Sequence, residues 1–229
     1  MKLERLRGLI VSIQPEAESV LNSPETVALL ARCAVANGAA GVRIEGAARI
    51  AAVRHAVDVP IVGLIKRAYP GFAPYITVTE ADIDEVAGAG ADIVAFDATA
   101  RARPAGFTAG AAIAAIHRRG LVAMADCATA AELQAAAAAG AAIVATTLCG
   151  YTEQTRGAAL PAFELLAAAR SSGALAILEG GIASPDEVRR AFAAGAAAVV
   201  IGTAISNLDA LVRRFVQAAP PVRAEPNTP

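Results

Sequence analysis

Alanine-rich helical stretches in this chain repeatedly run up to a glycine, and a short β-branched run follows at once. The joints read VANGAAGVRIEG, EVAGAGADIVAFD, HRRGLVAMADC, AAAGAAIVATTL, RSSGALAILEGG and FAAGAAAVVIGT. A glycine just past a helix end supplies the left-handed conformation that closes the last turn, and the apolar run after it reads as a strand. With RGLIVSIQ at the start and VPIVGLIK, there are eight strand candidates, beginning near residues 8, 41, 60, 91, 121, 142, 175 and 198. The runs are apolar throughout rather than alternating, which predicts strands buried on both faces and therefore a parallel sheet. They lie roughly 20 to 35 residues apart, room for one strand and one crossover helix. Helix starts agree: NSPETV, TEADIDEV and ASPDEV offer Ser, Thr or Asn caps with a carboxylate two or three residues on, and Pro24 and Pro185 fit a first turn. Eight such units predict an α/β fold, a single (β/α)8 TIM barrel over residues 1–218 with a disordered tail over 219–229. An open doubly wound sheet fits less well, because strand 1 is followed by no G-x-G-x-x-G and no edge strand stands out.

In such a barrel the chemistry lies where the strands end. In chain order the ends carry Ser12 and Gln14, Arg43 and Glu45, Lys66 and Arg67, Asp97 and Thr99, Asp126 and Cys127, Thr146 and Thr147, Glu179-Gly180-Gly181, and Gly202-Thr203. Each invites a structural explanation. Arg43 could pair with Glu45, Asp97 and Asp126 could cap the helices that follow, and Cys127 and Cys149 could be small fillers. His55 and His117 fall late in helices, toward the opposite end of the barrel, which leaves the active face without a histidine base.

Lys66 resists such an explanation. The chain has 20 basic residues, and its only lysines are Lys2 and Lys66. Arginine is the safer cation at the end of a buried strand, whereas lysine alone can give up its proton when burial shifts its pKa. A lysine here predicts a proton-transferring or imine-forming amine, with Glu179 as the acid across the barrel mouth. EGGIASP and VVIGTAIS place glycines directly after strands 7 and 8, where barrels often hold phosphate on backbone N–H groups. The residues thus point to a small phosphorylated substrate and to two chemistries: proton transfer next to a carbonyl, or imine formation at Lys66.

Composition removes other classes. The net charge of −1 offers no basic stripe for nucleic acid or an acidic membrane. The longest apolar stretch is alanine-rich and broken by glycine, too weak to span a bilayer. Cys33, Cys127 and Cys149 match no metal spacing, no metal site is expected, and so sparse a set suits a reducing, cytoplasmic compartment. The N-terminal apolar run is too short for a signal peptide.

The strings GLIVSIQ, GVRIEG, VPIVGLIKRAYPG, ADIVAFDAT, MADCAT, IVATTLCGYT, EGGIASP and VVIGTAI occur in this order from about residue 8 to residue 206. Together they resemble the N-acetylmannosamine-6-phosphate 2-epimerase family. The resemblance implies a cofactor-free (β/α)8 barrel that interconverts N-acetylmannosamine 6-phosphate and N-acetylglucosamine 6-phosphate in sialic acid breakdown, and a homodimer. It implies Lys66 as the catalytic lysine, Glu179 as its acidic partner, and substrate-binding roles for Gln14, Arg43 and Asp126. It places the phosphate on Gly180, Gly181, Gly202 and Thr203. This chain departs from the family at the phosphate end, with Gly181 where a basic residue is common and Asn207 where arginine is common; either other residues such as Arg67 or Arg156 compensate, or the substrate differs. A Schiff-base lyase and a non-catalytic sugar-phosphate-binding barrel are the competing readings. The amphipathic stretch from about Asn207 to Ala218 could pack on its own barrel or on a partner, with its own barrel as the default expectation.

Overall fold

In the computed structural model, which describes residues 6–220, eight parallel strands close into a barrel in chain order. They are β1 (Gly8–Ile13), β2 (Gly41–Glu45), β3 (Ile61–Leu64), β4 (Ile93–Asp97), β5 (Val122–Asp126), β6 (Ile143–Ala145), β7 (Leu175–Glu179) and β8 (Ala198–Ile201). Closure is made by β1 pairing with β8, Ile10 opposite Val200. The strands sit where the hydrophobic pattern predicts. The helices between them are α1 (Pro24–Ala36), α2 (Ala47–Arg54), α3 (Glu80–Gly88), α4 (Ala109–Arg118), α5 (Ala130–Ala138), α6 (Leu166–Ser171) and α7 (Pro185–Ala193). After β8 come α8 (Thr203–Ser206) and α9 (Leu208–Ala218).

The expected caps form. Ser23 accepts from the Thr26 N–H, and Thr79 and Ser184 make reciprocal capping boxes with Asp82 and Glu187. Thr129 does the same with Glu132 at the start of α5.

The side-chain period of two sorts each strand. Ile10, Val62, Leu64, Ile93, Met124, Ile143, Ile177 and Val200 form one buried cluster inside the barrel. Their neighbours Val11, Val42, Ile44, Val94, Phe96, Ala125 and Val144 join a second cluster that packs on helix residues such as Val27, Ile50, Ile83, Ile113, Ile116 and Leu133. Gly63 has the outward parity, and a Cβ there would meet Val86, Ala91 and Ile50 at 2.7, 2.8 and 2.9 Å. Carried upward, the inward parity falls on Ser12 and Gln14, Arg43, Lys66, Asp97, Asp126, Thr147, Glu179 and Gly202. The barrel therefore delivers the polar strand-end residues to one mouth. His55 caps the end of α2 and His117 lies in the last turn of α4, so both sit at the other end, as expected.

The stretch after Asn207 departs from expectation. None of the residues of α9 is buried, and Leu208, Val212, Phe215 and Val216 are exposed. The apolar stripe of α9 faces away from the barrel, because its other face, Asn207, Ala210, Leu211 and Arg214, borders the mouth. The tail expected from residue 219 lies, beyond Pro220, outside the described residues. No helix among the described residues is long and apolar enough to cross a membrane.

Candidate active site

A cavity of about 510 Å³ opens at the C-terminal mouth of the barrel, within the roughly 300–1,000 Å³ range of small-molecule sites. Gln14, Arg43, Lys66, Glu179, Gly180, Gly181, Gly202 and Thr203 all line it, so eight of the nine residues singled out from the sequence meet in one place. The ninth, Asp126, is fully buried and does not line the cavity; it lies behind Arg43.

Arg43 is the hub. The residue is 3% exposed, and its guanidinium spans two carboxylates, Nη2 donating to Asp126 at 2.5 Å and Nη1 donating to Glu179. A pairing with Glu45 does not occur. Glu45 instead takes Arg49 through Nη2 and receives the backbone N–H of Lys66 at 3.3 Å. A planar fork that can hold two acceptors at fixed angles suits this place better than an ammonium. Burial acts to lower the Arg43 pKa, but the two carboxylates outweigh it and the pKa is raised. Burial pushes Asp126 up to about 7, against the pull of Arg43. Neither aspartate is a helix cap. Asp97 Oδ1 accepts from the Thr99 N–H at 2.9 Å and its hydroxyl at 2.6 Å, and the side chain pairs with Arg101 and Arg103.

Lys66 follows β3 by two residues and is held there by the loop that returns over the mouth. Thr77 N–H bonds Ile65 C=O at 2.8 Å, Arg67 N–H bonds Tyr75 C=O at 2.9 Å, and Tyr69 OH reaches Asp82. Among the described residues the Lys66 ammonium forms no ion pair, and it does not pair with Glu179. The side chain keeps a solvent-facing surface, yet the protein packed around it strips hydration. That burial, followed by the positive charge of Arg43, lowers its pKa. Lys66 follows β3 and Glu179 ends β7, which are diametrically opposed in an eight-stranded barrel. Both residues line the cavity.

Two buried polar atoms have no partner among the described residues, Gln14 Oε1 and Arg43 Nε. Gln14 Nε2 is fixed by donating to Ser12 Oγ at 2.8 Å, which leaves its carbonyl oxygen to accept from something in the cavity. Cys127 and Cys149 are buried, and burial raises both thiols, in keeping with filler roles.

Sequence reasoning named Thr147 at the end of β6 without a role, and it passed over two further polar lining residues, Tyr75 from the loop and Arg214 from α9. The i, i+3, i+4, i+7 spacing of Asn207, Ala210, Leu211 and Arg214 marks one helix face, but only the packed structure says that this face looks into the cavity. Arg213, one residue back, pairs with Glu16 in the loop after β1 and pins α9 beside the mouth. Arg67 is committed to Asp82 and Glu85, and neither it nor Arg156 lines the cavity, so the suggested substitutes for the missing cations do not serve. Gly181 is a glycine for a local reason: its φ is +75°, and a Cβ would come within 2.6 Å of Leu160 Cβ.

Residues 27–220 match the family described as "Putative N-acetylmannosamine-6-phosphate epimerase". The chain belongs to this family. A relative from Thermosynechococcus vestitus, named "Putative N-acetylmannosamine-6-phosphate 2-epimerase", is 47% identical over 213 residues, 92% of each chain. A bifunctional enzyme of Brucella melitensis is 43% identical over 99% of this chain, which corresponds to 43% of that longer protein. Among solved structures, the N-acetylmannosamine-6-phosphate 2-epimerase from Clostridium perfringens superposes with a TM-score of 0.91 at 33% identity, covering 96% of both chains. A 3-hexulose-6-phosphate synthase at 22% identity and a TM-score of 0.62 shares the barrel alone.

Proposed function

We propose that the protein is a cofactor-independent 2-epimerase that interconverts N-acetylmannosamine 6-phosphate and N-acetylglucosamine 6-phosphate. The observation that carries this reading is the placement of Lys66 and Glu179 on opposed strands around one cavity. Inverting a carbon requires a proton to leave one face and return on the other, and this geometry offers a group to each face. With the sugar ring opened, the C1 aldehyde acidifies the C2 proton. Neutral Lys66 accepts it, the electrons are held as an enolate over C2, C1 and O1, and Glu179 in its acid form delivers a proton to the opposite face. A well-placed acid and base contribute on the order of 10²–10⁴-fold, with orientation in the cavity adding to it.

Arg43 holds Glu179 at the correct angle, and Asp126 acts through Arg43 rather than on substrate. Gln14 Oε1 accepts from an N–H or hydroxyl of the amino sugar. Gly180, Gly181, Gly202 and Thr203 hold the phosphate, with Arg214 supplying the charge that other family members place at positions 181 and 207. Arg43 is neutralised by its two carboxylates and Lys66 must be neutral to work, which leaves Arg214 as the cation lining this wall for a phosphate dianion. The protein works in the cytoplasm, where sugar phosphates are retained, and as a homodimer that covers the apolar stripe of α9; light scattering reads its mass directly.

The test is a proton NMR time course with N-acetylmannosamine 6-phosphate in heavy water. Appearance of the glucosamine epimer with deuterium at C2 is the expected result. Binding without C2 exchange would indicate a sugar-phosphate-binding barrel, and borohydride trapping of substrate on Lys66 would indicate a lyase.

A further inference from the structure

Two carboxylates, one guanidinium and one hydroxyl form a closed ring at the floor of the cavity. Arg43 joins Asp126 Oδ2 to Glu179 Oε1. The other two carboxylate oxygens both lie against one atom: Thr147 Oγ1 is 2.8 Å from Asp126 Oδ1 and 2.9 Å from Glu179 Oε2. A hydroxyl has one proton to donate, although it can also accept. With both carboxyls ionised, Thr147 could fill only one of these contacts well, and the other would set lone pair against lone pair. A single proton on either carboxyl fills both. The protonated group donates to Oγ1, and Oγ1 donates to the other. The ring then carries one positive and one negative charge, which suits a buried cluster. The backbone is arranged for this contact: Thr146 Oγ1 donates to Glu179 C=O at 2.9 Å and accepts from its N–H at 3.1 Å, locking the end of β7 against β6.

We propose that Thr147 is a proton-positioning residue whose hydroxyl links Asp126 and Glu179 into a pair sharing one proton, so that Asp126 can pass its proton to Glu179 within the ring and solvent restores the proton after each delivery to C2. This rests on the epimerase reading above. In one state Asp126 carries the proton and donates to Thr147, which donates to Glu179. In the other, the Asp126 O–H bond has broken as its proton passed to Thr147 Oγ1, and the former Thr147 proton has formed an O–H bond on Glu179 Oε2. The charge of the ring is unchanged. From the second state Glu179 gives its proton to C2; the extra negative charge left on the ring is balanced by the ammonium that Lys66 has become. The reverse reaction starts from Glu179 as carboxylate and Lys66 as ammonium. Burial that holds the Asp126 carboxyl near neutrality supports a protonated member in the ring. The other groups whose charge acts on the ring are Lys66, Tyr75 and Asp97, the last paired with Arg101 and Arg103.

Thr147→Val keeps the shape and deletes the hydroxyl, and Thr147→Ser keeps the hydroxyl. Carbon-13 NMR of carboxyl-labelled aspartate and glutamate, followed against pH, reads the ring directly. In the wild type the Asp126 and Glu179 carbons are expected to move together in the titration step nearest neutrality, because the proton belongs to the pair. In Thr147→Val that step is expected to collapse onto one carboxyl, and Thr147→Ser restores the shared step. Both carboxyls fully ionised throughout the neutral range, or identical titrations in wild type and Thr147→Val, would overturn the proposal. In turnover, Thr147→Val should lower kcat at least about tenfold with a displaced pH profile that Thr147→Ser returns; a loss equal at every pH is what a merely structural threonine would give, and would also overturn it. A wild type that shares the proton but does not epimerise would sink the functional reading alone.

Discussion

Replacing Arg43 by methionine keeps the aliphatic stem and removes the charge that Asp126 and Glu179 face. Asp126 is 0% exposed and Glu179 8%, so water cannot take over the role. Removing one partner from a buried ion cluster costs about 3–5 kcal/mol, because the remaining charge is left uncompensated. For a chain of this size each kcal/mol lowers the thermal midpoint by about 2–4 °C, which places the expected loss at roughly 6–20 °C. The loss should depend on pH in a defined direction. Burial raises Asp126 to about 7 against the pull of Arg43, so without Arg43 its carboxyl holds its proton to a still higher pH. At low pH Asp126 is neutral in both proteins, and as pH rises the variant must either keep that proton or bear a charge that nothing compensates. The wild-type minus variant difference should therefore be larger at pH 8 than at pH 5, measured by calorimetry or circular dichroism with both proteins at both pH values. A loss below about 1 kcal/mol, or one equal at the two pH values, would refute the claim that Arg43 neutralises this pair.

Lys66→Arg keeps a positive charge that cannot be released, so turnover should fall by at least about 10²–10⁴-fold while the thermal midpoint holds; retained turnover would remove Lys66 as the base. In the wild type, kcat/KM should rise with pH as Lys66 loses its proton at a pKa below its ordinary 10.5, since burial and Arg43 both lower it; a limb at or above the ordinary value would contradict this. Arg214→Gln should reduce the preference for phosphorylated over unphosphorylated N-acetylmannosamine, measured as the ratio of kcat/KM values, by about 10- to 100-fold, the range of one lost hydrogen bond to a charged group. Gly63→Ala should cost about 1–3 kcal/mol in urea unfolding, because the added methyl meets three packed side chains inside 3 Å.

The eight strands and the capped helix starts were readable because they rest on local causes: apolar runs of strand length, glycines that close helices, and hydroxyl or carboxylate caps. The strand-end rule then located the mouth, and eight of the nine residues singled out there do line one cavity. Lys66 was legible for a compositional reason, as a lysine in a chain that otherwise uses arginine. The partners of these residues were not legible. Arg43 meets Asp126 and Glu179 across separations of 83 and 136 residues, and such contacts depend on how the strands register around a closed barrel. Hence Glu45 stood as one possible partner for Arg43, the family resemblance alone placed Asp126 on substrate, and Thr147 had no role. The same holds for α9. Its two faces are written in the order of Asn207, Leu208, Ala210, Leu211, Val212, Arg214 and Phe215, but a helical period says only that two faces differ. Which face meets the cavity and which is exposed is set by the path of the chain after β8 and by the Arg213–Glu16 pair. Local propensity and side-chain parity act over a few residues and can be read from the chain; charge neutralisation acts through space, and only the closed barrel decides it.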